Sequence, residues 1–195
     1  MKLIAATQNP DKLREFRDLT GLEFEITGLS DIEVAEELPE DQDTIEGNAR
    51  QKAQYIYDRF GIDCFAEDTG LEIGALNGAP GVASARYAGP AKLAPDNIRL
   101  VLENMVDVDH RAARFVTVVA LILKGQIFVF RGETTGVIVR QPAGTNGFGY
   151  DPIFRPDGYE ETFAQMQSDL KNMISHRAKA ISKMIGFLKG RSGSQ

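Results

Sequence analysis

The segment KLIAATQNPDKLREF, residues 2–16, constrains the fold more than any other stretch of the chain. Residues 2–7 form a short apolar run bounded by polar residues, the pattern of a buried strand. Asn9 then supplies a side-chain oxygen suited to capping a helix. Pro10 fits the first helical position and Asp11 the first turn. Leu13, Phe16 and Leu19 recur at helical spacing, which predicts a helix over 10–20. A strand that passes through a tight turn into a helix belongs to an α/β protein.

The rest of the chain extends that class. The acidic stretch EVAEELPEDQD (33–43) reads as a loop. Asp43, with Glu46 three residues on, makes a capping box for a helix whose apolar stripe is Ala49, Ala53, Ile56 and Phe60 and which Gly61 stops. IDCFA is a strand leading into Glu67 and Asp68, with the charges at its end. GALNGAPGVASARYAG (74–89) is an ordered loop, and a helix over 95–105 carries Ile98, Val101, Leu102 and Met105. Residues 114–123 and 126–139 are β-rich and flank Lys124-Gly125, a two-residue hairpin turn. PAGTNGFGYDP (142–152) is a Gly-rich loop. The final helix starts at Ser175 as N-cap and carries Ile181, Met184, Ile185 and Leu188 before Gly190, and GRSGSQ reads as a frayed tail. βα units around a central hairpin predict an α/β domain with a mixed sheet, split into two lobes around a cleft, over residues 1–190, with a tail at 191–195.

Composition narrows the partners. A formal charge of −6 and a pI near 5.0 argue against nucleic acid, whose binding needs clustered Lys and Arg. A small anion, needing only a few local positive groups, stays open. The 195 residues are 43% apolar, enough for a sizeable core. Cys64 has no partner for an internal disulfide and sits in an apolar run, so a buried thiol in a reducing cytosol is expected. The chain opens directly on KLIAAT, so no leader is expected, and no apolar run approaches the roughly 20 residues that span a bilayer. The expected setting is cytoplasmic.

Four groups of residues carry chemical possibilities. TQNPDK (7–12) places a helix N-terminus beside Lys12, an arrangement that favours an anion through free N–H groups and the helix dipole; the alternative is a capped helix with a solvated lysine. Glu67 and Asp68, with acids upstream over 36–46, suit a hard cation or a carboxylate that takes a proton from water; the alternative is a polar strand end. In FGYD (148–151), Phe148 offers a face for stacking on a flat ring and Asp151 an acceptor for a base N–H; alternatively the ring plugs a hairpin end. In KNMISHR (171–177), Lys171, His176 and Arg177 gather positive groups at a helix start, where the dipole disfavours them, which hints at a bound anion or carbonyl oxygens; the alternative is a solvated helix start. His110 gives no comparable signal, and two histidines with one cysteine do not build a typical zinc site.

Taken in order, TQNPDK, EGNARQKA, AEDTGLEI, GAPGVASARYAG, GTNGFGYDPIF and KNMISHR resemble the inosine/xanthosine triphosphate pyrophosphatase family over nearly the whole chain. The resemblance implies an elongated mixed sheet flanked by helices, two lobes around a central nucleotide cleft, and a homodimer. It implies Mg²⁺-dependent hydrolysis of ITP, dITP and XTP to the nucleoside monophosphate and pyrophosphate. Carried over by position, Thr7, Gln8, Asn9, Pro10, Asp11 and Lys12 hold the triphosphate and Thr69 contacts substrate. Asp68 is the catalytic proton acceptor and a metal ligand. Glu40 is the second metal carboxylate, with Glu37 and Glu46 as alternatives in a crowded acidic loop. Phe148, Gly149, Tyr150, Asp151, Lys171, His176 and Arg177 form the purine site. Gln8, Glu67, Thr69 and the Glu-Gly-Asn helix start depart from the commoner family residues. A nucleotide-binding regulator without turnover is the competing expectation.

Overall fold

A computed structural model describes residues 2–21, 24–32, 34 and 36–192. The chain divides into two compact units, one of Met1–Asp68, Thr117–Gly132 and Arg177–Gln195, the other of Thr69–Val116 and Glu133–His176. The sheet runs in the order β2-β1-β3-β5-β6-β7, with β4 paired to β3. Among the described residues, mixed strand directions and five α-helices make an α/β fold, as the opening segment predicts.

In the first unit, β1 (Lys2–Ala5) pairs in parallel with β2 (Glu25–Thr27), Leu3 opposite Ile26, and with the start of β3 (Cys64–Ile73), Ile4 opposite Cys64. Helix α1 (Pro10–Thr20) begins where expected, and Asn9 Oδ1 accepts from the backbone N–H of Asp11 at 2.9 Å and of Lys12 at 3.2 Å. Helix α2 (Ile45–Phe60) buries Ala49, Ala53 and Ile56, but Phe60 is exposed at the helix end, and Gly61 closes the helix at φ 64°. Its N-cap is Thr44, one residue beyond the expected Asp43, and the Thr44 hydroxyl accepts from Gly47 N–H; the expected Asp43–Glu46 capping box does not form, and Gly47, three beyond Thr44, has no side chain to reach back. The core joins Leu3, Phe16, Phe65, Leu121, Ile181, Met184 and Leu188, with Phe16 edge-on to Phe65 at 5.1 Å.

Strands β5 (Ala112–Leu123) and β6 (Gln126–Ile138) form the expected hairpin. Its turn has φ 49° at Lys124 and 78° at Gly125, the two positive angles that match the twist of the flanking strands.

The second unit adds β4 (Pro80–Gly81), antiparallel to β3, and β7 (Phe154–Pro156), antiparallel to β6 with Ile138 opposite Phe154. Helix α3 (Ala94–Glu103) lays Val101 into a core with Leu71, Met105, Phe115, Phe154 and Phe163. Residues 74–89 are ordered, with short 3₁₀ turns at Gly74–Leu76 and Ser84–Arg86. Between β6 and β7, the Gly-rich loop needs its glycines: a Cβ on Gly144 would lie 2.3 Å from the Ala164 carbonyl, and one on Gly147 2.0 Å from the Asp151 carboxylate.

Two expectations about the C-terminal region change. A helix, α4 (Ser168–Ile174), precedes the last one, and Ser175, with extended backbone, stands between the two, directly before the first residue of α5 as its expected N-cap position requires. The final helix α5 starts at His176 and continues through Gly190 to Ser192, while 193–195 lie outside the described residues. Glu33 and Ala35 of the acidic stretch also lie outside them; its described residues from 36 to 43 form no helix or strand.

Candidate active site

Strand β3 does not end at its carboxylates. It runs through Glu67 and Asp68 to Ile73, and both acids are buried, at 2% and 7% exposure. A strand alternates its side chains between two faces, so neighbouring acids meet different helices. The adjacent acids therefore occupy two environments, not one.

On one face, Glu67 meets helices α1 and α5. Arg177, one residue into α5, donates from Nε to Glu67 Oε2 at 2.9 Å and from Nη2 to Oε1 at 3.2 Å. Its Nη1 reaches Glu15 Oε2 on α1 at 2.5 Å. Lys12 Nζ lies 2.6 Å from Glu67 Oε1. Burial opposes the charge on Glu67, but Arg177 and Lys12 outweigh it and hold the carboxyl far below its usual range. Burial likewise opposes the charge on Arg177, and Glu67 and Glu15 outweigh it and hold the guanidinium protonated.

On the other face, Asp68 meets α2. Lys52 Nζ donates to Asp68 Oδ1 at 3.0 Å and also to Glu40 Oε1, while Asn48 Nδ2 lies 3.4 Å from Asp68 Oδ2. Burial raises the Asp68 carboxyl above its ordinary value, and Lys52 and Lys12 only partly offset this. Lys52 itself is disfavoured by burial but raised by Asp68 and Glu40 together. One ammonium serves two anions, so each carboxylate receives less than a full counter-charge. A carboxylate pushed upward in this way is a stronger proton acceptor than an ordinary aspartate.

Of the acids in the 36–46 segment, Glu40 is the one that shares Lys52 with Asp68. Glu46 pairs with Arg50 at 2.8 Å, and Glu37 is exposed. Among the described residues no three His, Cys, Asp or Glu side chains gather as a metal site. Two converging carboxylates nevertheless fit Mg²⁺, which takes one or two carboxylates and completes its shell with water and substrate phosphates.

The turn before α1 is less open than the sequence suggests. Pro10 has no N–H, Asn9 takes those of Asp11 and Lys12, and Leu13 N–H bonds the Asn9 carbonyl at 3.1 Å. What the turn offers an anion is therefore the helix dipole and the Lys12 ammonium rather than free first-turn N–H groups. Thr7 Oγ1 accepts from Asn9 N–H at 3.1 Å, and Gln8 Nε2 donates to the Glu36 carbonyl at 2.8 Å.

The second unit holds a separate polar cluster. Asp151 Oδ2 accepts from Lys171 Nζ at 2.7 Å and from Phe148 N–H at 2.8 Å. The Lys171 ammonium lies 5.1 Å from the centre of the half-buried Phe148 ring. Tyr150 OH donates to the Ser84 carbonyl at 2.8 Å, which ties the loop to residues 84–86. His176 is 3% exposed and stacks on Phe115 at 4.6 Å. Lys171, His176 and Arg177, one positive group in the sequence, thus have distinct partners: Asp151, Phe115 and the Glu67–Glu15 pair. Gly149 has φ 61°, and Thr69 follows Asp68 half-buried in β3.

Sequence reasoning passed over Lys52, Asn48 and Glu15. The signal for the first two was present, since Asn48 and Lys52 stand one helical turn apart beside the apolar stripe of Ala49 and Ala53. Polar residues buried at that spacing need partners.

An α/β fold with a buried ion network on one mixed sheet defines a broad class, and comparison with known proteins makes it specific. The chain belongs to the Ham1 family, whose profile matches residues 3–187. It is 49% identical to a dITP/XTP pyrophosphatase of Christiangramia forsetii, over 96% of this chain and 99% of that one. It is 46% identical to a dITP/XTP pyrophosphatase of Flavobacterium johnsoniae, over 96% and 98%. The solved Ham1 protein of Staphylococcus aureus superposes with a TM-score of 0.89 at 34% identity, covering 98% of this chain and all of that one.

Proposed function

We propose that this protein hydrolyses non-standard purine nucleoside triphosphates, dITP, ITP and XTP, to the nucleoside monophosphate and pyrophosphate. The observation that carries the reading is near-full-length identity of 46–49% to dITP/XTP pyrophosphatases. The buried Asp68, raised above its ordinary range by burial, supports it chemically.

In this reading water attacks the α-phosphorus and gives a proton to Asp68. The new P–O bond forms as the α–β bridging P–O bond breaks, and pyrophosphate leaves. Mg²⁺, held by Glu40 and Asp68 when bound, supplies a Lewis acid that offsets phosphate charge. Residues Thr7 to Lys12 serve the triphosphate, with the Lys12 ammonium as the charged group, and Thr69 contacts substrate. Phe148, Gly149, Tyr150, Asp151, Lys171 and His176 serve the purine. Arg177, placed by sequence with the purine residues, is taken as the group that fixes Glu67. A donor facing O6 favours hypoxanthine or xanthine and leaves the adenine amino group unmatched, which is how such a site discriminates. The protein is proposed to work as a cytoplasmic homodimer without nucleic acid or membrane partners. Among the described residues no helix is long and apolar enough to cross a membrane.

The test incubates purified protein with dITP, ITP, XTP, ATP and GTP plus Mg²⁺ and identifies the products. Pyrophosphate and monophosphate, with the first three substrates preferred, are expected. Orthophosphate release, or binding of ITP without turnover, overturns the reading. Asp68→Asn should lower kcat by about 10²–10⁴-fold, the range for loss of a general base.

A further inference from the structure

The Lys52 ammonium stands where a cation bridging Glu40 and Asp68 would stand. Its Nζ reaches an oxygen of each carboxylate, and the residue is 4% exposed, on a helix whose register fixes it one turn beyond Asn48. Asn48 is itself engaged twice, accepting from Gln42 N–H at 2.9 Å and facing Asp68 Oδ2 at 3.4 Å. Lys52 takes one oxygen of each carboxylate, Glu40 Oε1 and Asp68 Oδ1, so a divalent ion that bridges the pair competes with the ammonium for the same two negative charges. Two positive groups cannot share that position, because like charges a few ångströms apart in a buried setting repel strongly.

We propose that Lys52 is a built-in stand-in for the divalent cation. It holds Glu40 and Asp68 together in the free protein and is displaced from them when metal and triphosphate arrive. This rests on the assignment of Glu40 and Asp68 as the metal pair. The ammonium competes with metal at these carboxylates, so the free protein binds metal weakly. A triphosphate supplies the anionic oxygens that a displaced Lys52, with three donors and no acceptor, needs. Metal and nucleotide therefore bind with positive coupling, each favouring the state that the other prefers. The device protects the acidic pair from self-repulsion without a resident metal.

The experiment measures Mn²⁺ binding to the nucleotide-free protein by calorimetry and by the loss of the free Mn²⁺ electron-spin-resonance signal. Lys52→Met should bind Mn²⁺ about tenfold or more tighter than wild type, since it removes a full competing charge. Lys52→Arg, which keeps the charge, should stay weak. An unchanged or weaker affinity in Lys52→Met overturns the proposal. Glu40→Gln and Asp68→Asn test the underlying assignment separately: if both leave Mn²⁺ binding unchanged, the metal pair itself is wrong. If Lys52→Met fails to fold, the wild-type protein still decides. The ¹⁵Nζ resonance of Lys52, assigned by its loss in Lys52→Arg, should shift when Mg²⁺ and inorganic triphosphate are added to saturation. A resonance that stays in place overturns the proposal.

Discussion

At the scale of single residues, Glu67 and Asp68 show how adjacent, chemically similar groups come to differ. Glu67 takes Arg177 and Lys12, and Asp68 shares one lysine with Glu40. The first arrangement lowers a carboxyl and the second leaves it raised. A group depressed in the folded state contributes stability that is fully present above its unfolded value, about 4.3 for Glu, and that is lost as pH falls below it. Arg177→Met removes the main counter-charge of Glu67, leaving it with Lys12, and takes the same guanidinium from Glu15. It should cost about 3–5 kcal/mol of stability at neutral pH, the usual range for breaking a buried pair. It should also flatten the acid limb of stability against pH, read from urea titrations between pH 3 and 7. A loss within experimental error would mean that the network adds little. Sequence alone presented the pair as adjacent letters and could not separate their surroundings. Cys64, by contrast, was legible: its apolar neighbours predicted burial, and burial pushes its thiol up to about 12.

At the scale of elements, local signals located most helices and strands, and errors fell where two local signals competed. α1 starts at Pro10 with Asn9 as cap because one residue supplies the cap and the next fixes φ for the first turn. Before α2, Asp43 and Thr44 are both good caps, and packing of Ile45 into the core selects Thr44. Thr44→Ala should therefore cost about 1 kcal/mol, the usual cap value, while Asp43→Ala should stay within about 0.5 kcal/mol, as exposed substitutions do. Equal losses in denaturant titrations would restore Asp43 as the cap. Two adjacent charges read in sequence as the end of a buried strand; β3 continues through them because Arg177 and Lys52 accompany those charges inside. β2, β4 and β7, each of two or three residues, are too short to show a period and exist by pairing with β1, β3 and β6.

At the scale of the whole molecule, each unit has its own apolar core, one around Phe16, Phe65 and Met184, the other around Phe115, Phe154 and Phe163. A net charge of −6 spread over the molecule predicts no measurable affinity for duplex DNA at about 150 mM salt, where binding depends on clustered cations. Fluorescence anisotropy with a labelled duplex checks this, and a micromolar, salt-dependent rise would reveal a basic surface hidden by the total. The sequence by itself determined the α/β class, the hairpin, the main helices and the family, because periodicity, capping and ordered motifs are carried by neighbouring letters. Only the tertiary structure decided that Glu67 and Glu15 share Arg177, and that Asp68 and Glu40 share Lys52. Those pairs lie up to 162 positions apart in sequence. Charges that distant become partners only when folding removes the water between them, and no local pattern records which ones will meet.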